Sequence, residues 1–69
     1  MKRYIRVVND EQLECCMRNQ INVDVWFKGE LELTLPIQCF DEETVIFKEA
    51  SYLRANVELR VRGNYFVGF

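Results

Sequence analysis

The sequence predicts a small, mostly β domain: a short N-terminal helix on five strongly bent strands, preceded by an extended arm. Three observations carry that expectation. The apolar spacing changes from helical to alternating at Ile21. Turn signals such as Lys28-Gly29 and Gly63-Asn64 divide the alternating part into short runs. The chain has only 69 residues, enough for one domain. Five strands in so short a stretch cover a core by curling into a small barrel, not by spreading as a wide sheet.

Residues 2–8 read as the extended arm, with Ile5 and Val7 on one side and Tyr4, Arg6 and Val8 on the other. Asn9 is a good helix N-cap, and Gln12 stands where a capping box places its reciprocal partner. Asp10 and Glu11 sit in the first turn, where the helix dipole favours negative charge. Leu13, Cys16 and Met17 make one apolar stripe, and Arg18-Asn19 closes the segment. A helix this short has to lie on something to persist in water.

The first strand covers residues 21–27, with Ile21, Val23, Val25 and Phe27 alternating with Asn22, Asp24 and Trp26. After Lys28-Gly29 a second strand carries Leu31, Leu33, Leu35 and Ile37 on its apolar face, making a hairpin. Pro36 has no N–H for a ladder, so the strand is bent, bulged or at an edge there. Thr44-Val45-Ile46-Phe47 is a third strand after the polar turn Asp41-Glu42-Glu43. A long fourth strand is expected over residues 52–62 and a fifth over residues 65–69.

Composition narrows the function. Nine Lys/Arg against eleven Asp/Glu give a net charge of −2, which excludes a polycation that coats nucleic acid by charge alone. There is no His, so the usual neutral-pH base and commonest metal ligand are missing. Cys15, Cys16 and Cys39 are odd in number and lack a CxxC spacing, so neither a disulfide framework nor a zinc site is expected. They read as reduced, buried or half-buried thiols in a cytoplasmic protein. The apolar runs are too short to span a membrane, and the Met1-Lys2-Arg3 start is too charged for a secretory signal. Nothing pairs Glu30 and Glu32, or Cys15-Cys16, with a catalytic partner, so an enzyme, a metal and a cofactor are not expected.

Two stretches carry a resemblance. The first is Gly29, residues 30–39, Phe40-Asp41 and then Val45-Ile46-Phe47; the second is Val61-Arg62-Gly63-Asn64-Tyr65-Phe66-Val67. Together they resemble the two motifs of the Sm/LSm and Hfq superfamily, over a domain of residues 9–69 that follows an arm of residues 1–8. The second stretch looks closer to the Sm/LSm branch, because the Tyr-Lys-His type motif of Hfq is absent. The chain departs from the pattern in three places. The spacing from Gly29 to Asp41 is slightly long, Leu35-Pro36 stands where the family has a kink-forming Gly, and Thr44 or Val45 stands where it has a uridine-contacting Asn.

The resemblance implies an SH3-like (Sm-like) barrel and a homo-oligomeric ring of about five to seven copies. In such rings the fourth strand of one copy pairs with the fifth strand of the next. Tyr52, Val57, Leu59, Val61, Tyr65, Phe66 and Val67 would form that interface. It also implies single-stranded RNA around a pore, bound by Phe40, Asp41, Thr44, Arg62, Gly63 and Asn64, with Arg62 stacking on a base. The alternative implied by the departures is a structural or protein-binding ring that no longer recognises RNA. Read without the resemblance, Asp41 is a turn residue, and Arg62 is a strand-end charge paired with Asp41 or Glu58. Trp26 is then a contact between subunits or a platform for a base.

Overall fold

The structure is a computed structural model and describes residues 4–63. It contains β1 (Tyr4–Arg6), α1 (Asp10–Arg18), β2 (Asn22–Phe27), β3 (Glu30–Phe40), β4 (Thr44–Phe47), β5 (Ser51–Leu53) and β6 (Glu58–Arg62). A short 3-10 helix, Arg54–Asn56, separates the last two strands. The strands form one antiparallel sheet in the order β1-β6-β2-β3-β4-β5. The sheet is not closed: β1 and β5 are its two edges among the described residues.

The helix forms where its caps and stripe place it. The Asn9 side chain accepts from the Gln12 N–H at 2.8 Å. Gln12 returns a bond at 2.7 Å, but to the N–H of Val8, one residue before the cap. Leu13 and Cys16 are buried, and Met17 packs beside them. This stripe lies over β3.

Lys28 and Gly29 both adopt positive φ, 51° and 79°, the pattern of a two-residue hairpin turn between β2 and β3. Val23 and Val25 face the core. A register shift between Val25 and Trp26 brings Leu31 opposite Trp26, and Leu31 is exposed. The apolar face expected of β3 is therefore buried only from its middle onward, with Leu33 and Leu35 half-buried and Ile37 fully buried. Pro36 marks the bend. It is the last β3 residue paired with β2, opposite Asn22, and from Ile37 onward β3 pairs with β4. A residue without an N–H stands where the ladder changes partner.

One expectation is made more specific and three are corrected. The arm is a strand of the sheet: Tyr4, Ile5 and Arg6 pair with Arg62, Val61 and Arg60. Residues 52–62 are not one strand, because Arg54–Asn56 turns and sends β5 and β6 to different neighbours. The described sheet has six strands and stays open, where five in a closed barrel were expected. Cys39 is exposed on β3, while Cys16 is buried and Cys15 half-buried. The strand expected over residues 65–69 lies outside the described residues.

The core is Val7, Leu13, Cys16, Val23, Val25, Ile37, Val45, Phe47, Leu59 and Val61. It draws on β1's tail, α1, β2, β3, β4 and β6, with α1 packed against β3. The opposite face of β1, β6 and β2 carries exposed Tyr4, Arg6 and Arg62 and half-buried Trp26, Glu58 and Arg60 around a buried Asp24.

Candidate functional site

The turn after β3 is built around Asp41. Its Oδ1 accepts from the backbone N–H of Glu43 at 2.9 Å and of Thr44 at 2.7 Å. Those two bonds hold the Asp41 carboxyl below the usual carboxylate range. Arg54 donates to the Asp41 carbonyl at 2.6 Å, pairs with Asp10 at 2.8 Å, and lies 6.0 Å from the Phe40 ring centroid. Asp41 thus serves the turn and ties it, through Arg54, to the start of α1. Thr44 opens β4 opposite Leu53. Glu42 and Glu43 keep this end acidic.

Arg62 is placed elsewhere. It grips Asp24 with two bonds, Nε to Oδ2 at 2.7 Å and Nη2 to Oδ1 at 3.2 Å. Thr34 Oγ1 donates to the same carboxylate at 2.7 Å. The partner is neither Asp41 nor Glu58. The Asp24 side chain is 7% exposed and that of Arg62 66%, so the acid is sunk in the sheet and the guanidinium covers it. The bonds to Asp24 also push the Arg62 pKa up. Gly63 follows with φ 76°, a left-handed conformation that only glycine adopts cheaply. No described contact joins the Phe40-Asp41-Thr44 group to Arg62-Gly63, and Asn64 lies outside the described residues.

The residues expected at an interface between copies divide in the same way. Leu59 and Val61 belong to the chain's own core, and Val57 packs against it. Tyr52 is half-buried and meets Phe47 edge to face at 6.1 Å. Strand β6 has β2 on one side and β1 on the other, so its outer edge is filled by the chain itself. Tyr65, Phe66 and Val67 lie outside the described residues.

A third group was not singled out from the sequence. On the outward face of β1, β6 and β2, the Arg60 guanidinium lies 4.4 Å from the Tyr4 ring centroid and 4.6 Å from that of Trp26. The guanidinium is held by Glu58, which also meets Arg6 at 3.7 Å. The hydrogen bond from Arg60, helped by the nearby Arg6, holds the Glu58 carboxyl below its usual range. The indole N–H of Trp26 is buried with no hydrogen-bond partner among the described residues. At the hairpin tip, Lys28 Nζ lies 5.3 Å from the Phe27 ring centroid and has no carboxylate partner among the described residues. Four cations, Arg6, Lys28, Arg60 and Arg62, lie on this face and at its tip, where Glu58 and Asp24 pair with the arginines and Glu30 closes the hairpin opposite Phe27.

Sequence alternation already put Tyr4, Arg6, Arg60, Arg62 and Trp26 on polar faces. What it lacked was the pairing of β1 and β2 on either side of β6, which sets residues more than thirty positions apart side by side. Among the described residues no group of three or more Cys, Asp or Glu is placed to hold a metal ion. No helix there is long and apolar enough to cross a membrane. Compared with protein-family models, with curated proteins and with solved structures, the chain matches none.

Proposed function

We propose that the chain is an Sm-like protein, with an SH3-like curled sheet, that binds single-stranded RNA on the outward face of β1, β6 and β2. The observation that carries the RNA reading is the row Tyr4, Arg60 and Trp26 on three adjacent strands. Stacked rings and guanidinium planes suit unpaired bases, and the neighbouring Arg6, Arg62 and Lys28 suit the phosphates between them. The Sm-like reading is supported by the leading helix, the bend in the long strand at Pro36, and the return of β6 to β2 after a 3-10 turn. The binding surface is moved from the Asp41 loop, whose carboxylate is committed to its own turn and whose neighbours are acidic.

The test is fluorescence anisotropy with U-rich and A-rich oligoribonucleotides of about ten nucleotides, at low and moderate salt. Binding near about 50 mM salt that weakens steeply as salt rises supports the reading. Tyr4→Ala is expected to weaken it about tenfold, the cost of losing one base-stacking ring. Absence of binding at low salt ends it.

A second reading, an assembly of copies without RNA, is favoured by a separate observation. The two edge strands, β1 and β5, expose Tyr4 and Leu53, and open edges invite strand pairing. Here the neighbour's strand would join β1 or β5, since the outer edge of β6 is filled. Light scattering that reports several copies, together with no RNA binding, selects this reading.

A further inference from the structure

A depression of about 330 Å³ lies between the hairpin tip and the 3-10 turn, lined by Trp26, Lys28, Asn56, Glu58 and Arg60. It is at the small end of ligand pockets, which run from about 300 Å³ upward. The depressions beside α1 and at the Pro36 bend have cations too, but none of their lining residues is aromatic.

The hairpin tip adds an independent sign. Lys28 has φ 51°, where Asn, Asp or Gly is favoured and a long side chain is strained. The turn would be more stable with Asn at that position. Lys28 contributes nothing to an ion pair among the described residues. Lys28 thus holds a cation with no carboxylate partner among the described residues on the lip of the depression, at a cost in backbone conformation. Beside it, the side-chain amide of the exposed Asn56 makes no hydrogen bond among the described residues, so both its donor and its acceptor face solvent.

We propose that this depression is a single-nucleotide subsite, in which the Asn56 amide reads the edge of one base and Lys28 takes the adjoining phosphate. The inference rests on the RNA reading and adds a place to it: one end of the Tyr4–Arg60–Trp26 row is extended to the hairpin tip. An amide both donates and accepts, so Asn56 can meet a base edge that does the same. Lys28 supplies a point charge with freely rotating donors, which fits a phosphate and carries no base preference.

The experiment compares the unaltered protein with Lys28→Asn, Asn56→Ala and the charge-matched control Lys48→Asn, using the same oligoribonucleotides over a salt series. Lys28→Asn is expected to raise the melting temperature yet weaken binding by about threefold to tenfold. It should also reduce the slope of log affinity against log salt by about 0.7, one phosphate's share for a single strand. Asn56→Ala should change the ranking of U-rich and A-rich strands while leaving the slope unchanged. Lys48→Asn should bind as the unaltered protein does. If the unaltered protein binds RNA and Lys28→Asn binds equally well with the same slope, the subsite is wrong and the RNA reading stands. If no RNA binds the unaltered protein, the RNA reading itself has failed.

Discussion

At the scale of single residues, the side chains divide into those committed to the fold and those with capacity to spare. Asp24 is the clearest of the first kind. Its carboxylate is nearly excluded from water and is met by both Arg62 and Thr34. Arg62→Ala removes both charge-assisted bonds and leaves the carboxylate with the Thr34 hydroxyl and the more distant Arg60, its ladder partner on β6. Because Arg62 itself is two-thirds exposed, the loss is expected to be measurable but below the full cost of breaking a wholly buried pair. Urea unfolding checks it, and the same variant should lose RNA affinity only as far as its phosphate contact is lost.

Asp41 gives a pH signature. Two backbone N–H groups hold its carboxyl below the ordinary value, so it contributes stability at neutral pH that disappears as the pH falls through the carboxylate range. Asp41→Asn keeps an acceptor for the turn and removes the titration. Its unfolding midpoint is expected to fall less than that of the unaltered protein between pH 7 and pH 3. The thiols offer a third residue-scale test. Burial, with the adjacent Cys15, pushes the Cys16 thiol up to about 12, whereas Cys39 is exposed. A thiol reagent at neutral pH should label Cys39 first and leave Cys16 unmodified until the chain unfolds.

At the scale of elements, legibility followed locality. The helix was readable because its signals lie within ten residues: the Asn9 cap, the acidic first turn and the Leu13-Cys16-Met17 stripe. Asn9→Ala is expected to cost about 1 kcal/mol, measurable in the same urea series. The β2–β3 hairpin was readable because two alternating runs flank Lys28-Gly29, and Pro36 announced the bend. The break at Arg54–Asn56 was not, since its cause is tertiary. Arg54 is drawn to Asp10 and to the Asp41 carbonyl, and neither is near it in sequence. The seat of β1 beside β6 was hidden for the same reason, and with it the meeting of Tyr4, Arg60 and Trp26. The Leu31 side chain was misassigned to the core because a bulge at Val25/Trp26 shifts the register, and alternation alone cannot show a bulge.

At the scale of the whole molecule, the open sheet separates charge. The β3–β4 turn gathers Asp41, Glu42 and Glu43, while the β1-β6-β2 face and the hairpin tip gather Arg6, Lys28, Arg60 and Arg62. On that face the cations are interleaved with Asp24, Glu58 and Glu30, so the proposed phosphate contacts depend on where each cation stands and not on the net charge of −2. The filling of β6's outer edge by β1 changes what an assembly of copies would have to use, and it makes the N-terminal strand part of both the sheet and the proposed surface. The most direct measurement is a two-dimensional NMR titration of the protein with a short oligoribonucleotide at low salt. The single Trp gives one indole N–H signal, which needs no assignment by elimination. This signal and the backbone amides of Tyr4, Arg6, Lys28 and Arg60 are expected to shift, while those of Glu43 and Thr44 stay in place. Shifts confined to the turn at Asp41, or none anywhere, would contradict the RNA reading.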